Sequence, residues 1–260
     1  MSKKGDFMKN IGIDIGSSCA KVCVMDNDII ETTFMIPTGY NSRETAELIR
    51  KMLEEKGIDV EKANVMATGY GRISVPYANE VMTEISCHGK GAYYLFGENA
   101  TVIDIGGQDT KVISLKRGRV MKFLMNDKCS AGTGKFIEIM SDRLGLTLEE
   151  LEELAAKGKE TTISSMCTVF AESEIISLIG QGTPREDIAN GVIKSVVTKV
   201  IQLAAQVPAD KYLLTGGFCE NHYFIEQLSK ALEAPVESSP QARFAGAIGA
   251  AVYAAEIEED

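Results

Sequence analysis

Aspartate and glycine recur in the same pattern at two places in the sequence. "DIGSSCAK" occupies residues 14–21 and "DIGGQDTK" residues 104–111, and the longer segments 14–34 and 104–124 align without a gap. Backbone N–H groups in a glycine turn can bind phosphate, and an adjacent aspartate can orient a hydrated magnesium ion. A third glycine turn, "TGGFCEN" at 215–221, ends a strand and begins a helix, as suits a nucleoside. One isolated Asp-x-Gly would only indicate a turn, but the repeat and the third turn together predict nucleotide binding.

The two copies are expected to share one arrangement of strands. In each, a β-branched strand enters the Asp-Gly turn and a second strand leaves it. The hairpin signals "DND" (26–28) and "KRG" (116–118) then lead into a third strand. Each copy is therefore predicted to form an antiparallel meander in its own lobe. The predicted lobes are residues 1–98 with the C-terminal segment 241–260, and residues 99–240.

Hydrophobic periodicity predicts the remaining elements. Asn41 or Ser42 is expected to begin a helix that Gly57 ends. The segment 241–259 has a helical pattern with a face of small residues, which is expected to pack closely onto the first lobe. The other predicted elements are strands at 63–68 and 211–217 and helices at 77–97, 132–144, 148–157, 168–180 and 184–206.

Two predicted helix starts carry the Thr-x-x-Glu pattern of a capping box. The pairs are Thr147 with Glu150 and Thr183 with Glu186. Pro184 stands where the first turn of a helix accepts proline.

Charge and hydropathy argue against two classes of partner. Acidic residues outnumber basic ones by 37 to 27, so neither nucleic acid nor an anionic membrane is expected as a main partner, although small anions can bind locally. The start "MSKKGDFMKN" lacks the apolar stretch of a signal peptide, and no run of about 18 apolar residues predicts a membrane span. The protein is therefore expected in the cytoplasm.

Two of the six cysteines stand in a distinctive setting. Cys129 in "MNDKCSAGTGKF" and Cys167 in "SSMCTVFAESE" each precede a predicted helix start, where free N–H groups and the helix dipole stabilise a thiolate and place it to bind metal. Two thiolates do not complete a four-ligand site, but a two-fold homodimer would supply two more. The alternative is that both are buried structural cysteines. The cysteines without a comparable setting are Cys19, Cys23, Cys87 and Cys219.

The order of the glycine motifs resembles a known α/β fold. It is similar to the duplicated ribonuclease H-like fold of actin, sugar kinases and heat-shock chaperones, which has two lobes with a nucleotide cleft between them. In this resemblance "DIGSSCAK" is the first phosphate motif, "DIGGQDTK" the second and "LLTGGFCEN" the adenosine motif. The resemblance covers the whole chain.

Longer strings point to one family within this fold. "IDIGGQD", "MNDKCSAGTGKF" and "CTVFAESE", with "ATGYGR" and "TEISCHGKGA", resemble the ATP-dependent activators of 2-hydroxyacyl-CoA dehydratases. Related ATPase components occur with benzoyl-CoA reductase and double-cubane cluster proteins. One departure from the family pattern is Ser130, where alanine is more usual.

The family resemblance implies cofactors and partners. Cys129 and Cys167 would ligate one [4Fe-4S] cluster shared across a homodimer that also binds ATP or ADP and Mg²⁺. Ferredoxin or flavodoxin would donate the electron, and ATP turnover would drive it into an iron–sulfur dehydratase, a reductase or a double-cubane cluster protein. The sequence does not choose among these acceptors.

The motifs also imply individual roles. Asp14 and Asp104 would hold the magnesium shell through water, Gln108 would orient the attacking water, and Asp109 would position water or metal. Asp104, Gln108 and Asp109 are thus the candidate catalytic residues. The candidate nucleotide-binding residues, besides Asp14, are Gly16, Ser17, Ser18, Lys21, Gly106, Gly107, Gly132, Thr133, Gly134, Gly216, Gly217 and Asn221.

Several polar residues carry two interpretations. Lys21 and Lys111 could reach phosphate, but a lysine on a hairpin strand is more often a solvated residue. Cys87 and His88 match a family string but could serve only helix packing. For the other three residues a structural role is favoured, as first-turn acids or as a cap or surface residue; they are Glu172, Glu174 and His222.

Two rival functions share the nucleotide motifs. A small-molecule kinase of the sugar-kinase type would need a carbohydrate pocket and a catalytic aspartate, and would not need Cys129 or Cys167. A non-redox, actin-like assembly protein would form filaments and contain no iron.

Overall fold

The computed structural model describes residues 8–164 and 167–257. The described residues form two compact units: those of Met1–Asn99, Leu115–Val120 and Gln241–Asp260, and those of Ala100–Ser114 and Met121–Pro240. These bounds lie beside the predicted ones, except that the hairpin tip Leu115–Val120 groups with the first unit.

The first copy of the repeat forms a five-stranded mixed sheet. Strands β1, β2 and β3 pair antiparallel as predicted, and β4 pairs parallel to β1. The register places Asp14 opposite Lys21 on β2 and Thr68 on β4. The strands, in the sheet order β3-β2-β1-β4-β5, are Ile29–Pro37, Cys19–Asp26, Lys9–Ile15, Ala63–Thr68 and Glu80–Val81.

The second copy forms a second five-stranded sheet with the same topology. Its register places Asp104 opposite Lys111 on β7 and Thr215 on β9, which repeats the first copy position by position. The strands, in the sheet order β10-β9-β6-β7-β8, are Val236–Glu237, Tyr212–Gly216, Thr101–Ile105, Thr110–Lys116 and Arg119–Asn126. The repeated letters therefore correspond to a repeated fold.

Two helices follow the sequence signals in the first half of the chain. Asn41 caps α1 (Ser42–Glu55), and Gly57 follows it with φ +78°, as its role as a stop predicts. The helix predicted at 77–97 begins later than predicted, since α2 spans only Glu84–Phe96. Glu80 and Val81 pair instead with β4, and the Thr83 hydroxyl accepts a hydrogen bond from the Ser86 N–H at the start of α2. Short 3₁₀ helices occupy Val60–Lys62 and Arg72–Ser74.

Of the two capping boxes predicted in the second half of the chain, the structure confirms one and contradicts the other. Thr147 and Glu150 form the expected capping box. Thr183 and Glu186 do not, because the Thr183 N–H closes the end of α5 on the Leu178 carbonyl and Pro184 becomes the N-cap of α6. The helices α3 to α7 are Gly134–Leu144, Leu148–Ala155, Thr168–Gly180, Arg185–Ala204 and His222–Leu232.

The C-terminal helix packs within the first unit at backbone contact. The predicted segment contains a 3₁₀ turn, Pro240–Phe244, and then α8, Ala245–Ala254. A Cβ atom at Gly249 would overlap the Cys87 carbonyl oxygen on α2, and one at Gly12 on β1 would overlap the Ala247 carbonyl oxygen. The predicted close packing of the small-residue face is therefore confirmed. Among the described residues, no helix is long and apolar enough to cross a bilayer.

Candidate functional site

The first phosphate turn is held by backbone hydrogen bonds. The Gly16 N–H donates to the Cys19 carbonyl at 3.1 Å, and the Thr38 hydroxyl donates to the Gly16 carbonyl at 2.9 Å. Ser17 and Ser18 lie exposed at the tip, while Lys21 on β2 is half-buried. The turn therefore presents the predicted glycine and serine positions at the surface of the first unit.

Asp14 lies near the end of β1, and its carboxylate is buried with one oxygen that accepts no hydrogen bond from the described residues. The residue is 3% exposed, and no donor among residues 8–164 and 167–257 reaches its Oδ1 within hydrogen-bond distance. The Oδ2 atom lies 3.9 Å from Nε2 of the buried His88. A Cβ atom at Gly69 or Gly246 would lie 2.5 Å from one of the carboxylate oxygens, so both positions must lack a side chain. A buried carboxylate oxygen without a donor costs free energy, and a hydrated cation would satisfy it.

The second phosphate turn has the same backbone hydrogen bond as the first and more charged side chains beside it. The Gly106 N–H donates to the Asp109 carbonyl at 2.9 Å, and the N–H groups of Gly134 and Lys135 donate to the carbonyls of Gly106 and Gly107. Gln108 lies exposed at the tip. The start of α3 is thus tied directly to the turn.

Asp104 and Asp109 share a buried lysine. The Lys111 ammonium lies 2.8 Å from Asp109 Oδ1 and 3.4 Å from Asp104 Oδ2, and all three side chains are nearly inaccessible. The Thr215 hydroxyl donates to Asp104 Oδ1 at 2.7 Å. The prediction of a solvated Lys111 is wrong, because two carboxylates compensate its charge inside the unit.

The adenosine motif forms the third glycine turn. Gly216 has φ +88°, and the Gly217 N–H donates to the Ile105 carbonyl at 3.1 Å, which places this turn beside the end of β6. Asn221 Oδ1 accepts a hydrogen bond from the Phe224 N–H, so this side chain caps α7. His222 is exposed, as predicted for a surface residue.

A glycine-rich loop connects the second phosphate turn to a cysteine. The Thr110 hydroxyl donates to the Gly132 carbonyl at 2.6 Å. The Thr133 hydroxyl donates to the Ser130 carbonyl at 2.7 Å. Cys129, predicted to stand just before a helix, lies five residues before Gly134, so the intervening loop, not the helix terminus, positions it.

The structure separates Cys129 and Cys167 from the other cysteines. Both are exposed, whereas Cys23, Cys87 and Cys219 are buried and Cys19 is intermediate. Burial raises the pKa of the Cys87 and Cys23 thiols to about 12. Cys167 is the N-cap residue of α5, as predicted, while Ser165 and Met166 of the same motif lie outside the described residues. The interpretation of Cys129 and Cys167 as buried structural cysteines is therefore wrong.

A hydrogen bond links the segments that carry these two cysteines. The hydroxyls of Ser130 and Thr168, each the residue after a cysteine, are 2.8 Å apart. The Asn126 amide donates to the Cys129 carbonyl at 3.0 Å. Both exposed thiols therefore belong to one locally braced region of the second unit.

The two acids after Cys167 have structural roles, as predicted, but the prediction that they are first-turn acids is wrong, because Glu172 and Glu174 are the fifth and seventh residues of α5. Glu172 forms an ion pair with Arg143 of α3. Glu174 accepts hydrogen bonds from the N–H and the hydroxyl of Ser164.

Three contributors to the site carry no clear sequence signal. Gly69 and Gly246 make room for the Asp14 carboxylate, and Thr215 orients Asp104. Gly69 lies in "ATGYGR" and Gly246 in the small-residue face of α8, but neither string indicates that its glycine adjoins a carboxylate.

Two phosphate turns on sheets of matching topology and a third glycine turn define a nucleotide-binding protein of the actin and sugar-kinase fold class. A ROK family glucokinase from Streptomyces griseus supports this fold assignment, with a TM-score of 0.64 at 16% identity over 96% of this chain and all of the other. Residues 11–254 match the BadF/BadG/BcrA/BcrD ATPase family, and the chain belongs to that family.

Individual relatives agree with the predicted family. The chain is 42% identical to the (R)-2-hydroxyglutaryl-CoA dehydratase activating ATPase of Acidaminococcus fermentans, over 94% of this chain and 96% of that protein. The activator of the 2-hydroxyisocaproyl-CoA dehydratase from Clostridium difficile, solved with bound ADPNP, superimposes with a TM-score of 0.89 at 33% identity, covering 97% of this chain and 99% of that one. The predicted resemblance to dehydratase activators is confirmed.

Proposed function

We propose that this ATPase is an ATP-driven electron carrier for an iron–sulfur enzyme. In this proposal two copies of the chain hold one [4Fe-4S] cluster, accept an electron from ferredoxin or flavodoxin, and deliver it to a partner enzyme. The partner would be a 2-hydroxyacyl-CoA dehydratase, a related reductase or a double-cubane cluster protein. Membership of the ATPase family and similarity to dehydratase activators support the nucleotide and acceptor parts.

The nucleotide part rests on the three glycine turns. Asp14 is the better-suited carboxylate for the magnesium shell, because its buried Oδ1 lacks a donor among the described residues. Asp104 is the other candidate for that shell, and the exposed Gln108 would orient the attacking water. The phosphates and the nucleoside would contact Gly16, Ser17, Ser18, Lys21, Gly106, Gly107, Gly132, Thr133, Gly134, Gly216, Gly217 and Asn221.

The Ser130–Thr168 hydrogen bond is the observation that carries the redox part. It joins the residues after Cys129 and Cys167, which are 38 positions apart, and both cysteines are exposed. Exposed thiols beside a part-buried polar brace suit ligation of a cofactor at a protein surface. A [4Fe-4S] cluster commonly takes four thiolates, so two chains with two cysteines each fit it. Bound there, the cluster would supply one-electron chemistry at low potential.

Helix α5 supports the homodimer. Val169 and Phe170 follow Cys167 and are 66% and 67% exposed, and Ile176 and Ile179 continue the apolar surface. Ala171 and Ile175, on another side of the helix, are buried in the unit. A helix with apolar residues on its exposed side is typical of an interface, and a two-fold axis would pair this side with itself.

A chain of hydrogen bonds would couple nucleotide binding to the cysteines. Within the second unit it runs from the turn at Gly106 to Gly134, and from Thr110 to Gly132. Thr133 then contacts Ser130, which contacts Thr168 beside Cys167. Because every step lies in one unit, a change in the turn on binding or losing phosphate would shift the loop that holds Cys129. Shifts in hydrogen bonding and solvent access are the means by which a protein changes a cluster's potential.

The acceptor's substrate stays open in this proposal. The two relatives above have dehydratases of different 2-hydroxyacyl-CoA esters as partners. Similarity to both relatives therefore does not single out one ester as the substrate of this chain's acceptor.

Anaerobic reconstitution tests the proposal. The wild-type chain should elute as a dimer with about four iron and four sulfide ions per dimer, and Cys129→Ser should lose most of them. Cys19→Ser is the matched control, because Cys19 is only partly buried and belongs to the first unit, whereas Cys129 belongs to the second. The iron content of the Cys19→Ser variant should equal that of the wild type. Electron delivery to an acceptor should require ATP. A monomeric, iron-free wild type, or delivery at the same rate without ATP, would contradict the proposal.

A further inference from the structure

Lys111 is a buried cation that contacts both carboxylates of the second phosphate turn. It is 1% exposed, and its ammonium contacts Asp104 and Asp109. Burying a lysine is costly unless partners compensate the charge, and here two buried carboxylates do so. The three side chains together carry one net negative charge.

Asp109 is packed so that its charge adjoins the turn. A Cβ atom at Gly106 would overlap Asp109 Oδ1, the oxygen that Lys111 contacts. The carboxylate therefore lies against the backbone that would receive phosphate. An uncompensated carboxylate at this point would repel an anion strongly, because the surroundings exclude water.

The first copy shows that the turn forms without this ion pair. Cys19 stands at the position of Asp109, yet its carbonyl accepts the Gly16 N–H in the same way. Lys21 stands at the position of Lys111 and is only half-buried. The Asp109–Lys111 pair is therefore not needed to shape the turn, and its distinct contribution is charge.

We propose that Lys111 is a positioning residue that acts through Asp104 and Asp109: it compensates their charge and so lets the second turn bind nucleotide phosphate before and after Mg²⁺ is present. This inference rests on the proposed nucleotide role of the turn. It assigns Lys111 no contact with the nucleotide itself.

Binding of ADP with and without Mg²⁺ distinguishes charge compensation from a merely structural role. Calorimetry of Lys111→Met should show ADP affinity in EDTA weakened at least about tenfold, which corresponds to ~1.4 kcal/mol. In excess Mg²⁺ the loss should be smaller, because a metal ion that accompanies the nucleotide compensates part of the negative charge itself. Lys116→Met is the matched control: Lys116 lies on the same strand but is exposed, and both affinities should stay unchanged.

A second variant keeps the test decisive if Lys111→Met folds poorly. Asp109→Asn combined with Lys111→Met restores one net negative charge, so its ratio of ADP affinities with and without Mg²⁺ should match the wild-type ratio. A folded double variant whose ratio differs from the wild-type one, or Lys111→Met with wild-type affinities, would overturn the inference. A wild type that binds no ADP would instead overturn the nucleotide role itself, and this inference with it.

Discussion

Replacing Gly246 by alanine places one methyl group against the Asp14 carboxylate. The new Cβ would lie 2.5 Å from Asp14 Oδ2 and 2.8 Å from His88 Nε2, whereas ordinary contact begins at 3.4 Å. The carboxylate must therefore withdraw by about 0.9 Å. Gly246 lies inside α8, where alanine itself favours the helix by up to about 1 kcal/mol, so the backbone gives no reason for the helix to unfold.

The displacement should appear as lost catalysis. A misplacement of about 1 Å in a catalytic assembly costs on the order of 10²-fold in rate. We therefore expect kcat/KM for ATP hydrolysis to fall about 10²-fold, which corresponds to ~2.7 kcal/mol of transition-state stabilisation.

The assay is steady-state ATP hydrolysis at excess Mg²⁺ in the absence of oxygen, with circular dichroism to show that the variant is folded. Gly39→Ala is the matched control, because its Cβ would meet only Thr45 Oγ1, at 3.9 Å. Gly39→Ala should hydrolyse ATP like the wild type. A folded Gly246→Ala variant within about threefold of wild-type kcat/KM would refute the assignment of Asp14 to the magnesium shell.

Three further predictions concern packing and the thiols. Gly249→Ala should lower the free energy of unfolding, measured by urea denaturation, by about 3 kcal/mol or more, because the new methyl group meets the Cys87 backbone carbonyl and no rotamer relieves the overlap. A loss no larger than that of Gly39→Ala would contradict this packing. In the cluster-free protein, iodoacetamide should modify the exposed Cys129 and Cys167 rapidly, while Cys23 and Cys87 should react only after unfolding, because burial raises the pKa of their thiols to about 12. The rate of labelling at each cysteine is measured by mass spectrometry of the labelled peptides. Equal rates at all four cysteines would contradict this prediction. Between about pH 9 and pH 12 the thiols of Cys23 and Cys87 release their protons in the unfolded chain but retain them in the folded one. The free energy of unfolding, which these thiols do not reduce below pH 9, should therefore fall by up to ~1.4 kcal/mol per pH unit for each thiol. If alanine at both positions leaves the dependence of this free energy on pH unchanged, the burial argument is contradicted.

Local sequence determined most of the architecture. The repeated Asp-x-Gly segments predicted two meanders, and the structure pairs Asp14 with Lys21 and Asp104 with Lys111 in one shared register. Helix α5 begins and ends at the predicted residues. These features depend on turn chemistry and on periodicities of a few residues, which a sequence displays directly.

Helix boundaries failed where two local signals competed. Thr183 matches a capping box, but its N–H closes the preceding helix, so Pro184 becomes the N-cap of α6. Glu80 and Val81 fit a helical pattern, but they extend the first sheet beside β4. In both cases a hydrogen-bond partner outside the segment decided the outcome.

Only the tertiary structure decided which polar groups serve the site. The Ser130–Thr168 brace, the contact of Thr215 with Asp104 and the space that Gly246 leaves for Asp14 join residues 38, 111 and 232 positions apart. Strand periodicity shows that Lys111 points to one face of its sheet, but it cannot show that two carboxylates compensate its charge there. Local sequence sets backbone preference, whereas burial and charge compensation depend on groups that meet only when the chain has folded.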